Sequence, residues 1–147
     1  MKNRRILCLS LLLISFWAPC YAHHMAVVVN KNNNVQNLTS AHLAKLFRLE
    51  TKKWPDGSDV VLVLHKSSQD EMETLARLNK MTAAEMRSFL ASHKDVVRVV
   101  ETDADVIDLV ASTSGAVGFV YERSINERVS VVKVDGKLPL EAGYLPH

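Results

Sequence analysis

Two hydrophobic periods alternate along this chain. Residues 25–30, "MAVVVN", form a continuous apolar run, the pattern of a strand buried on both faces. "KNNNVQN" after it reads as a loop. Thr39 or Ser40 then caps a helix whose apolar stripe is Leu43, Leu46 and Phe47, at i, i+3, i+4 spacing. "KKWPDGS" ends that helix in a Pro-Asp-Gly turn. "VVLVLH", residues 60–65, is a second strand. Ser67 or Ser68 caps a second helix that runs to about Asn79, with Met72, Leu75, Ala76 and Leu78 toward the core. Thr82 and Glu85 form a capping box for a third helix, with Met86, Phe89 and Leu90 as its buried stripe. Residues 96–100, "VVRVV", make a third strand. Thr102 or Asp103 opens a fourth helix with Val106, Ile107 and Val110 inward. In residues 115–121, "GAVGFVY", two glycines in a strand imply close backbone approach. "VSVVKVDG", residues 129–136, is a fifth strand, and the tail "KLPLEAGYLPH" is irregular.

Strands and helices alternate throughout, with no repeat, low-complexity tract or internal linker. That order predicts an α/β three-layer sandwich with a mostly parallel sheet.

Residues 1–22 stand apart from this pattern. Lys2, Arg4 and Arg5 precede the apolar run "ILCLSLLLISFWA", and "CYA" supplies small residues at a cleavage site after Ala22. The run is short for a membrane span, which needs ~20 residues. A secretory signal peptide is expected, hence a periplasmic location; an uncleaved anchor is the alternative. A lipoprotein at Cys20 is disfavoured, because "WAPC" lacks the aliphatic residue three places earlier. Residues 23–147 then form one domain. Its 15 lysines and arginines against 16 acids leave a net charge of −1, with no basic stripe for nucleic acid. Cys8 and Cys20 both leave with the signal, so the core must hold the fold without disulfides.

Catalysis finds little support. There is no Gly-x-Ser-x-Gly elbow and no cysteine nucleophile in the mature chain. His65, Ser67 and Asp70 offer triad residue types, but within six positions, where short local spacing rarely supplies the geometry. His23, as a new terminus beside His24, could hold copper, but a frayed end is the simpler expectation. His42, His93 and His147 show no ligand spacing. No enzyme activity, metal or cofactor is expected. Trp54 reads as a turn residue folded on the core, with a stacking platform as the alternative.

The stretch "DVVLVLHKSSQDEMETLARL" carries the one candidate site. A strand ending in His65 and Lys66 feeds a helix opened by Ser67, Ser68 and Gln69. Free amides and the positive end of the helix dipole favour an anion there. Asp70 and Glu71 stand in the same first turn. They stabilise the helix by roughly 0.3–1 kcal/mol each and oppose an arriving phosphate. Two outcomes stay open: a weakened anion site, or a capped helix with no ligand.

The order of landmarks resembles the phosphate-binding, PstS-like branch of the periplasmic substrate-binding proteins. "VVVNKNNNVQNLTSAHLAKLFRLETKKWPDGSDVVLVLHKSS" followed by "STSGAVGFVY" carries the likeness through Leu38, Leu46, Phe47, Trp54, Asp56, Gly57, Gly115, Ala116, Val117, Gly118 and Phe119. The resemblance implies one lobe of a type II periplasmic binding protein, the second, with no counterpart to the other lobe's phosphate loop. The family's arginine at the end of the second strand falls on His65. Its Gly-Ser-Gly-Thr helix start falls on Ser68, Gln69, Asp70 and Glu71. It further implies weak binding of phosphate or a related oxyanion through His65, Lys66, Ser67, Ser68 and Gln69, in a transport or sensing system. The partner would be an ABC permease or a membrane sensor, with a homodimer or partner protein completing the cleft. The alternative is a periplasmic interaction module that keeps the fold and has lost the ligand.

Overall fold

A computed structural model describes residues 24–146. The expected signal at 1–22, together with His23 and His147, lies outside the described residues.

The elements in chain order are β1 (Met25–Asn30), β2 (Asn37–Leu38), α1 (Ser40–Phe47), β3 (Val61–His65), α2 (Gln69–Asn79), α3 (Ala83–Ala91), β4 (Val97–Val100), α4 (Asp103–Ser112), β5 (Ala116–Tyr121), a 3₁₀ turn (Glu122–Ser124), β6 (Val129–Val131) and β7 (Lys133–Val134). Each helix starts where a side chain can accept its exposed amides. Thr39, Ser68, Thr82 and Thr102 are the N-caps, and Thr82 with Glu85 and Thr102 with Asp105 close reciprocal capping boxes.

The main sheet has the order β4-β3-β5-β1-β6. β3 runs parallel to β4 and to β5, while β1 is antiparallel to both β5 and β6. It follows that β6 shares the direction of β5, and only β1 opposes the rest. The mostly parallel α/β sheet expected from the alternation is present. Strand residues alternate between two cores, as the period of two requires. Met25, Val27, Val29, Leu62, Leu64 and Phe119 meet Leu43, Phe47, Leu75 and Met86 on one face. Val28, Val63 and Val120 meet Val106, Ile107 and Val110 of α4 on the other. The sheet is therefore the middle of three layers, with α1, α2 and α3 on one side and α4 on the other.

Gly115, just before β5, and Gly118 within it serve close approach, as expected. A β-carbon at Gly115 would overlap the carbonyl oxygen of Asp59, and one at Gly118 would sit 3.0 Å from the carbonyl oxygen of Val63.

Two expectations change. The fifth strand is broken in two. β6 pairs with β1, and Val132 still donates to the Val27 carbonyl, but β7 leaves for a separate two-stranded sheet with β2. Val129 and Val131 lie on the α4 side and Val132 and Val134 on the other, an alternation that an unbroken strand also shows, so the break comes from the change of partner from β1 to β2. The loop read at residues 31–37 gives its last residue, Asn37, to β2, whose other residue, Leu38, is buried. The tail is irregular in backbone but not loose: Tyr144 and Leu145 are buried. The Tyr144 hydroxyl accepts from the Val27 amide at 2.9 Å and donates to the Val132 carbonyl at 2.7 Å. Burial pushes that hydroxyl up to about 12.

Candidate functional site

Because β3 and β5 are parallel, both end at the same edge of the sheet, and α2 and α4 begin there. This carboxyl edge is where a doubly wound sheet offers a crevice. Four segments meet at it: the end of β3 (His65), the start of α2 (Ser68 to Glu71), the start of α4 (Asp103) and the end of β5 (Tyr121).

The α2 wall is built by its cap. Ser68 is buried, with extended backbone, and its hydroxyl accepts the Glu71 amide at 3.2 Å. The Glu71 side chain lies inside, 1% exposed. Both carboxylate oxygens lie 3.3 Å from the amide of His65. Burial holds the Glu71 carboxyl well above its ordinary range; the His65 amide opposes that shift and the negative charge of Asp103 adds to it.

The remaining acids are engaged too. Asp70 accepts the Tyr121 hydroxyl at 2.8 Å, and Asp103 accepts the Tyr121 amide at 3.0 Å. The other oxygen of Asp103 is 3.8 Å from Nδ1 of His65, a buried nitrogen with no hydrogen-bond partner among the described residues. Desolvation and the bond to Asp70 raise the Tyr121 hydroxyl above its usual value. The mouth thus holds three carboxyl groups against one imidazole.

The five expected ligand residues divide. His65 and Ser68 line the mouth. Lys66 is exposed and paired with Glu101 at 2.9 Å, a bond that raises its pKa. Ser67 is exposed on the turn, and Gln69 is exposed and donates to Glu73 at 2.9 Å. Sequence reasoning passed over Asp103 and Tyr121. Their signal is topological: each flanks a strand end that a parallel sheet brings to the same edge. Trp54 is not a stacking platform. It is 3% exposed and its indole donates to the Gly115 carbonyl at 2.9 Å. Among the described residues no cluster of three His, Cys, Asp or Glu is arranged to hold a metal ion.

This architecture has solved counterparts. An ABC-type phosphate transport receptor of Vibrio cholerae superposes with a TM-score of 0.63 at 19% identity, over 79% of this chain and 48% of that one. The PstS of Borrelia burgdorferi gives 0.63 at 18% identity, over 79% and 49%. A phosphate-binding protein of Stenotrophomonas maltophilia gives 0.63 at 16% identity, over 80% and 40%. The fold is that of one PstS-like lobe. The chain spans about half the length, or less, of the receptors it resembles. No protein-family profile and no curated protein matches the chain. The likeness is in fold, and the acids at the mouth of this lobe are described by its own geometry.

Proposed function

We propose that the chain is an exported, non-enzymatic solute-binding lobe serving a periplasmic transport or sensing system for phosphate or a related oxyanion. The observation that supports it most is the strand-turn-helix mouth of His65, Ser68 and α2, in a fold whose solved counterparts are phosphate receptors. One wall cannot enclose a ligand, and Asp70 and Asp103 repel a dianion. Affinity is therefore weak until a partner supplies the second, cationic wall. A permease or a membrane sensor is the partner class that fits an exported lobe.

A second reading follows from one specific feature. Glu71 already satisfies the His65 amide, so the mouth is complete without a ligand. On that reading the lobe is an interaction module. Calorimetric titration with phosphate and sulfate separates the two. Heat at micromolar to millimolar phosphate, rising in affinity when Asp70→Ser and Glu71→Gly are combined, supports the oxyanion reading. No heat at millimolar phosphate in either protein leaves the interaction module.

A further inference from the structure

β4 is the outer strand on its side of the main sheet. Its ladder with β3 is fixed by the Leu62 amide on the Val96 carbonyl and the Lys66 amide on the Val100 carbonyl. The alternation of a parallel ladder then directs the amide and carbonyl of Val99 away from β3, toward solvent. Val99 is also 57% exposed, among the largest apolar exposures of the described residues. Arg98 is the one charge on this short edge, and an edge whose outward amide and carbonyl are neither bulged nor covered is a template for another strand.

Beside that edge lies an open cavity of about 230 Å³ between β4, α2 and α3. Leu64, Met72, Leu90, Val97 and Val99 make its apolar floor. Its rim is basic, with Lys66, Arg87 and Lys94. Lys66 is held by Glu101, but Arg87 and Lys94 have no ion-pair partner among the described residues. The remaining cation of the strand, Arg98, is occupied at the carbonyls of Lys94 and Asp95.

We infer that β4 is a docking edge for an extended, acidic segment of a partner protein. The segment adds as a strand through the Val99 amide and carbonyl. An apolar side chain enters the cavity, and flanking carboxylates meet Arg87 and Lys94. Charge selects this occupant over a second copy of the chain, since self-pairing would set Arg87 and Lys94 against their own counterparts. The cavity borders the mouth, sharing His65 with it, but the strand pairing itself is made at Val99 on the outer side of β4.

The test uses two labelled seven-residue peptides of the same alternating valine-isoleucine pattern, one flanked by glutamates and one by lysines, titrated into the purified chain. The acidic peptide binds, more weakly as salt rises, and the basic one does not. Arg87→Glu with Lys94→Glu, both exposed, weakens the acidic peptide by roughly tenfold or more. Val99→Pro removes an amide that the β3 ladder does not use, so the fold survives and binding is lost. Circular dichroism confirms the fold of each variant. Equal uptake of both peptides, no uptake of the acidic one at millimolar concentration, or binding unchanged in Val99→Pro overturns the inference. So does a dimer that disappears in Val99→Pro, which would make the edge a self-association surface.

Discussion

Glu71 faces a single amide donor, that of His65, with Asp103 nearby and Asp70 and His65 on the same edge. A carboxyl whose folded pKa lies above its unfolded one binds more protons in the folded state. Stability is then greatest at or below the ordinary value of 4.5 and falls as pH rises from there toward the folded value. Glu71→Gln keeps an acceptor for the His65 amide and removes the ionisation. It should flatten that part of the pH profile. Urea midpoints of both proteins between about pH 5 and about pH 8 check this. A wild-type profile that rises over the same range would show Glu71 to be stabilised as the carboxylate.

At the scale of elements, the helices were legible because their signals are local. Thr39, Ser68, Thr82 and Thr102 each cap the helix they precede, and the caps lie within three residues of the amides they serve. The junction of β6 and β7 was not legible, since it depends on partners roughly 100 positions away, near the start of the fold. Tyr144 ties that junction together from the tail. Tyr144→Phe leaves the Val27 amide and the Val132 carbonyl buried without their partner, and should cost about 1–3 kcal/mol. Equilibrium unfolding measures the loss. Faster hydrogen exchange confined to Val27 and its neighbours would place the effect at the β1–β6 seam.

At the scale of the molecule, three layers form around one sheet, and the single mouth opens with no opposing lobe in the described chain. Closure of the two-lobed kind needs a second wall on a hinge. A second copy is a poor choice for that wall, because two mouths face to face would bring Asp70 and Asp103 against their own counterparts. Light scattering at neutral pH and low salt should therefore give a monomer. A dimer that dissociates when Asp70 and Asp103 are changed to alanine would show instead that the mouths pair.

By itself the sequence determined the elements, their alternation and hence the layered α/β class, because period, caps and turn residues act over a few neighbours. It also placed His65 and Ser68 at a strand end and a helix start. Only the tertiary structure decided what that place contains. Asp103 and Tyr121, 38 and 56 positions beyond His65, reach it because β3, β5 and α4 converge on one edge. Whether Glu71 points to solvent or into the protein is fixed by the burial of a whole helix face, a property of packing that no short stretch of chain encodes.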